Sequence, residues 1–322
     1  MEKFSFQAPK EAGGLRLDVV LSMMAPDLSR SAAAKLISAG LATIDGKPSK
    51  ASIKVRPGSI IELSIPDPEP LDLIPEPMDL SILYEDQYLV VIDKPAGLVV
   101  HPGAGHSSGT LVHGLLARWP SVADVGDPFR PGIVHRLDKG TSGVMVAAKD
   151  RVAHRRLSEA FAERKIKKTY LALVLDPPKD STGAIGMPVG RHPSDRKRMS
   201  SLTSSGREAL TEYSLLASAA GVGLMKLNLR TGRTHQVRVH CSESGFPLAA
   251  DALYGGVRRI KNVGDLKLRE MLAALQRPAL HAFCLGFDHP IDKLPMLFSA
   301  PLPEDLAAPS LRVIELSQGL KK

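Results

Sequence analysis

The segment PGIVHRLDKGTSGVMVAAKD (131–150) concentrates residue types that do chemistry. Asp138 is followed by the small, turn-forming Gly140, Thr141, Ser142 and Gly143 and then by an apolar strand. That order places the carboxylate on a loop, from which it can be aimed into a cleft. An ionised carboxylate so placed can attack a carbon or stabilise its cationic character, as in glycoside hydrolysis, or remove a neighbouring proton. Taken bare, Asp138 reads equally as a turn or capping aspartate. An acid in a water-poor pocket also takes up a proton unless a cation stands nearby. His135 reads either as a brace of this loop or as a satisfied structural histidine. Two other signals are discarded. GLATIDGKP (40–48) has an extra residue before its second glycine and Pro48 where a phosphate loop needs Ser or Thr, so it reads as a hairpin. His235, His240 and Cys241 lie close together with no further ligand pair, so no metal is expected.

The chain that must position this loop has 322 residues, enough for a sizeable core and a smaller domain. No apolar run approaches the roughly 18 residues that span a bilayer. The N-terminus lacks the apolar core of a secretory signal, and the expected location is the cytoplasm. Cys241 and Cys284 are too few for a disulfide framework and read as buried thiols. The net charge of +8 favours polyanionic partners. Residues 14–65 read as a compact α/β unit. Leu17, Val20, Leu21 and Met24 recur at the helical period, a second helix runs from a Ser29 cap to Gly40, and Asp45-Gly46 marks a hairpin before the strand SIIELSI. Pro66, Pro68, Pro70, Pro75 and Pro77 make 66–77 an extended tether. From 78 to 310 the apolar strands YLVVID, GVMVAAK, TYLALVL and GLMKLNL alternate with helical or loop segments, an α+β pattern. The loop RHPSDRKR offers Arg191, Arg196, Lys197 and Arg198 as phosphate contacts, since no helical neighbours neutralise them.

Residues 14–65, through RLDVVL…LSRSAAAKLISAGLATIDGKP…VRPGSIIEL, resemble the small RNA-binding domain first described in a ribosomal small-subunit protein. Arg16, Arg30 and Lys35 are then expected to face phosphates. HRLDKGTSG is similar to the catalytic signature of the ribosomal and transfer RNA pseudouridine synthases, the family that includes large-subunit synthases A, C and D. The resemblance extends over nearly the whole chain, through VIDKPAGLVVHPGAG, KKTYLALV, LRTGRTHQVRVH and RPALHAFCLGFDHPI in the family's order. HPGAGHSSGT, PVGRHPSDRKRMS and DALYGG are most similar to synthase D, with C-type site specificity left open. One departure is Ala250-Asp251, where D-like chains commonly carry Gly-Asp.

This resemblance implies an α+β catalytic domain whose mixed, largely antiparallel sheet is flanked by helices and loops around a central cleft. It implies isomerisation of uridines in large-subunit (23S) ribosomal RNA to pseudouridine. No redox step or external donor is needed, so no cofactor is expected. The partner is ribosomal RNA or the assembling large subunit, not a membrane, and a monomer is expected. Asp138 matches the family's carboxylate, and Arg238 matches the arginine that pairs with it, placed by a Thr234 cap in the second turn of a helix. Tyr170 matches the tyrosine that stacks on uracil and assists proton removal at carbon five. Arg136 matches the arginine that fills the stack left by the extruded nucleotide. Arg233 joins the expected RNA contacts. Two readings from other classes are a non-catalytic RNA-binding or ribosome-assembly protein and a nucleosidase.

Overall fold

A computed structural model of the protein describes residues 2–25, 28, 30–65, 73–103, 105–195 and 197–319. They form two compact units divided between Leu71 and Asp72. The first contains β1 (Glu2–Gln7), α1 (Leu17–Met24), α2 (Arg30–Ser38), β2 (Ala42–Ile44), β3 (Lys47–Pro48) and β4 (Ile60–Ile65), with sheet order β1-β4-β2-β3. Leu17, Val20 and Leu21, one helical face, pack with Ile37, Ile61 and Leu63. Asp45 and Gly46 take φ of 51° and 74° between β2 and β3, as a two-residue hairpin requires. Ser29, the expected helix cap, lies outside the described residues. The sequence reading did not anticipate β1, which pairs with β4 from Glu2↔Ile65 to Gln7↔Ile60 and carries this sheet upstream of residue 14.

The second unit contains β5 (Ser81–Glu85), β6 (Leu89–Lys94), α3 (Leu111–Arg118), β7 (Ser142–Ala148), α4 (Arg151–Ala162), β8 (Lys167–Leu175), β9 (Thr182–Ile185), β10 (Gly190–Arg191) and β11 (Met199–Ser200). It continues through β12 (Thr211–Ala219), β13 (Val222–Leu229), α5 (Gln236–Glu243), α6 (Gly256–Arg259), α7 (Leu266–Ala274), β14 (Leu280–Asp288), β15 (Pro295–Ser299) and α8 (Glu304–Ser317). Its main sheet has the order β5-β6-β7-β14-β8-β13-β12-β9, with β15 also on β14. Among the described residues of this sheet only the β7–β14 pairing is parallel.

Both faces of this sheet are covered, which explains why its central strands read as unbroken apolar runs. Val90, Ile92 and Met145 pack with Leu111 and Leu115 of α3, whereas Val91, Val144 and Val146 pack with Ala153 and Leu157 of α4. The period of two sends alternate residues to opposite helices. Farther along, Met225 and Leu227 meet Val237 and Cys241 of α5, and Leu173 and Leu224 meet α7 and α8. Cys241 is buried as expected, but Cys284 only partly, because it lies among half-exposed residues of β14.

Residues 66–72 of the proline-rich stretch lie outside the described residues. Those after them are not a free tether: Leu73 packs on the α3 core, and the Glu76 carboxylate accepts from the Gly109 N–H at 3.1 Å. At the other end, α8 continues past residue 310 to Ser317. Among the described residues no helix is long and apolar enough to cross a membrane.

Candidate active site

Three sheet-borne segments converge on one pocket. The turn before β7 brings Asp138, β8 brings Tyr170, and the segment from the end of β13 into α5 brings Arg233, His235 and Arg238. The strand register explains the meeting: Tyr170 lies opposite Leu227 of β13, and Leu171 and Ser142 both lie opposite His281 of β14. The turn is closed by Thr141 N–H donating to the Asp138 carbonyl at 3.0 Å, and Gly97 N–H donates to the Lys139 carbonyl at 2.7 Å. Beside this pocket a cavity of about 920 Å³ opens onto Asp138 and is also walled by α7, α8, Arg277 and Pro278. That volume suits a small-ligand or nucleotide site.

The Asp138 side chain is 20% exposed and lies 3.6 Å from Nη1 of Arg238, itself 11% exposed. The structure therefore brings together the carboxylate and guanidinium singled out in the sequence. Yet the stronger partner of Arg238 is Asp251, which it grips through Nε and Nη2 at 2.7 and 2.9 Å. Burial opposes the charge on Arg238, but the hydrogen bonds and charge of Asp251, joined by Asp138, outweigh it and raise the guanidinium further. Asp251 is fully buried and also accepts from the N–H groups of Leu253 and Tyr254 at 3.1 and 3.2 Å. This fork fixes the arginine and leaves Nη1 for Asp138. Sequence reading flagged the Ala250-Asp251 pair only as a departure. Ala250 takes φ of 58°, a left-handed conformation that explains glycine as the commoner residue.

The expected Thr234 cap does not form. The α5 cap is His235, at φ 57°, and Arg238 lies in the first turn rather than the second. The cause is Gln236, whose Oε1 accepts from Thr231 Oγ1 and Arg233 N–H at 2.7 and 3.0 Å while its amide donates to Leu210 and Thr211. These bonds fold the chain back just before the helix and leave His235 left-handed. Its Nε2 stands 3.9 Å from Asp138 and its Nδ1 2.9 Å from the Tyr254 hydroxyl. Burial lowers this imidazole below its ordinary value, against the Asp138 charge. The Tyr254 ring in turn lies under the guanidinium of Arg238 at 4.9 Å.

Tyr170 shares its face of β8 with Ala172 and Val174 and packs among the cores beneath the pocket. Burial, then the Asp138 charge, raises its phenol well above the ordinary value. A phenolate base is therefore costly here, and the ring presents an apolar surface bearing a protonated hydroxyl. Lys94 had no part in the sequence reading. It is wholly buried, donates to the Pro95 and Leu98 carbonyls at 2.8 and 2.9 Å, and is pulled down to about 8 by burial against the Asp138 charge.

The expected RNA contacts divide. Arg136 is exposed at the pocket mouth, with Nη1 3.2 Å from His101 Nε2. Arg233 lines the pocket, and its Nε donates to the Glu208 carbonyl at 3.2 Å. Arg191 and Lys197 are exposed, whereas half-buried Arg198 lays its guanidinium 5.3 Å over the Tyr254 ring. Arg196 lies outside the described residues. In the first unit Arg16 and Arg30 flank Asp18 at 3.0 and 3.4 Å, and Lys35 is exposed.

Comparison with known proteins shows the family. Residues 88–243 match the family model described as RNA pseudouridylate synthase, and residues 15–61 match the S4 domain. The chain belongs to the RNA pseudouridine synthase family and carries an S4 domain at its N-terminal side. It is 42% identical to ribosomal large subunit pseudouridine synthase D of Xylella fastidiosa, covering 92% of this chain and 88% of that protein. It is 38% identical to an uncharacterised RNA pseudouridine synthase of Bacillus subtilis, covering 100% and 99%. Among solved structures, human RNA pseudouridylate synthase domain containing 4 superposes with a TM-score of 0.56 at 27% identity, covering 73% of this chain and 93% of that one.

Proposed function

We propose that the protein isomerises specific uridines of large-subunit ribosomal RNA to pseudouridine, with Asp138 as its catalytic carboxylate. The carrying observation is the meeting of Asp138, Arg238 and Tyr170 in one pocket from three separate segments. The reaction breaks the bond between the anomeric carbon and N1, turns the uracil, and joins carbon five to the sugar. Carbon five loses a proton and N1 gains one, so no atom is added. Asp138 starts the sequence by attacking the anomeric carbon or by removing a neighbouring ribose proton. Both routes need it ionised, and Arg238, steadied by Asp251, supplies the positive charge beside it.

Tyr170 forms the floor on which the uracil stacks. The nucleotide has to leave its helix to reach this depth, at about a few kcal/mol, and Arg136 at the mouth is placed to fill the gap. Arg191, Arg196, Lys197, Arg198 and Arg233, with Arg16, Arg30 and Lys35 of the first unit, contribute RNA binding. Action as a monomer belongs to this reading. The substrate is ribosomal RNA, free or within the assembling large subunit, in the cytoplasm, without metal or cofactor. D-type rather than C-type target sites are favoured by the 42% identity to a synthase D.

The test uses ribosomal RNA labelled with tritium at carbon five of uridine. The wild type should release tritium, and Asp138→Asn should lower release at least about a thousandfold with RNA affinity within a few-fold. Near-normal release by the variant refutes the assignment. Free uracil among the products marks a nucleosidase instead.

A further inference from the structure

We infer that Arg277, oriented by Asp305, is a positioning residue for the turn that carries Asp138; the inference rests on the proposed reaction. Neither residue lies in the segment that matches the family model, and the motif RPALHAFCLGFDHPI has no part in the chemistry above. The Arg277 side chain is 8% exposed, yet all three of its guanidinium nitrogens are engaged. Nε and Nη2 each reach an Asp305 carboxylate oxygen at 2.7 Å, a two-point fork. Nη1 then points at the Gly140 carbonyl at 3.3 Å, Ser142 Oγ at 3.2 Å and the Leu280 carbonyl at 3.2 Å.

The directions of these bonds are mutually consistent. Burial lowers the His281 imidazole and so favours its neutral form. Its Nε2–H donates to the Ala300 carbonyl at 3.2 Å, so Nδ1 is left to accept from the Ser142 hydroxyl at 2.9 Å. The Ser142 oxygen is then free to accept from Arg277. Gly140 is the third residue of the Asp138–Thr141 turn, and an added Cβ would meet the Pro278 ring at 3.0 Å. Arg277 therefore grips one side of the turn while Gly97 grips the other through the Lys139 carbonyl. Asp305 is 45% exposed in the first turn of α8. Through it, a surface helix late in the chain sets the orientation of a buried guanidinium, and that guanidinium sets the turn.

A positioning role differs measurably from a fastening role. Slack in the turn misplaces Asp138 relative to the sugar, which lowers kcat while leaving most RNA contacts alone. Arg277→Lys keeps the charge without the fork and should lower kcat about 10- to 100-fold with KM within about threefold. Asp305→Asn, at a surface helix end, should fold normally and lower kcat about five- to tenfold, and Asp305→Glu should recover most of it. The double variant Arg277→Lys with Asp305→Asn should be no slower than Arg277→Lys alone, because both act through one fork. Should Arg277→Lys fail to fold, the Asn and Glu variants at 305 decide by themselves. A kcat for Asp305→Asn within twofold of wild type overturns the inference, whether or not its Tm falls. So does a loss confined to KM, which would mark an RNA contact. A wild type that releases no tritium overturns the proposed reaction along with it, whereas an active wild type matched by Asp305→Asn overturns this inference alone.

Discussion

Arg238 serves two carboxylates, and the buried one holds the fork while the half-buried one is left a single nitrogen. That division keeps the guanidinium fixed without tying down Asp138, which the proposed reaction needs free to meet the sugar. The same economy governs His135, three residues before Asp138. Its Nε2 accepts from the Val146 N–H at 3.0 Å and its ring stacks on Phe161 at 4.5 Å, so it braces the catalytic loop against β7 as a neutral ring. Burial, then the nearby Lys168 charge, pulls it down to about 3 from an ordinary value of 6.5. The unfolded chain thus binds a proton that the folded one refuses. This stabilisation is fully present above pH 6.5 and is lost progressively as pH falls toward 3. Between pH 7 and pH 5 it should cost the wild type about 1–2 kcal/mol, and His135→Gln, which keeps an acceptor for Val146, should be flatter by that amount. Urea denaturation at both pH values measures the difference, and parallel losses in the two proteins would rule out a buried neutral His135. At this scale Asp138, Tyr170 and Arg238 were legible because their neighbours form recognisable runs. Asp251 and Lys94 were not, because their importance comes from burial and from partners distant in sequence.

At the scale of elements, the site depends on β7 and β14 lying parallel at Ser142↔His281 and Ala282↔Gly143. Gly143 takes φ of 114°, and a Cβ there would stand 2.2 Å from the Ala282 carbonyl oxygen. The strand pairing leaves no room for a side chain. Gly109 also has a left-handed φ, 63°, but open space around it. Gly109→Ala should therefore cost about 1 kcal/mol of backbone strain. Gly143→Ala should exceed about 3 kcal/mol and abolish turnover, because the backbone contact cannot yield without opening the pairing. Thermal unfolding of both variants checks this, and similar Tm losses would mean that the β7–β14 contact is softer than it looks. The sequence showed that small residues end the catalytic loop, and the long strands and the 45–46 hairpin followed from period and turn chemistry. It did not show which glycine was compelled by a strand 139 residues away, the separation of Ser142 from its partner His281. Nor did it show β1, six residues that become a strand only by pairing with β4, or the helix start at Gln236, set by side-chain bonds back to Thr231 and Leu210.

Across the whole molecule the charge is unevenly shared. Residues 1–71 hold nine Lys and Arg against eight Asp and Glu, so nearly all of the net +8 resides in the second unit. The first unit therefore does not act as a general polycation, and its contribution to RNA binding must come from a local patch. Arg16 and Arg30 are proposed for that patch, and Asp18 between them holds two guanidinium groups side by side while cancelling one charge. Removing residues 1–71 is the appropriate cut, since Leu73 and Glu76 are docked on the second unit. The truncated enzyme should bind a ribosomal RNA fragment about tenfold more weakly, yet keep most of its salt dependence. Each lost phosphate contact flattens the slope of log Kd against log salt by about 0.7–0.9, so a patch of two or three cations removes about two. On a short stem-loop containing the target uridine, kcat should stay within about threefold, because the residues lining the catalytic pocket belong to the second unit. Fluorescence anisotropy across a salt series, with tritium release on the stem-loop, measures both quantities. An unchanged Kd at every salt concentration would deny the first unit any part in binding, and a slope that collapses toward zero would move the main phosphate-binding surface onto it.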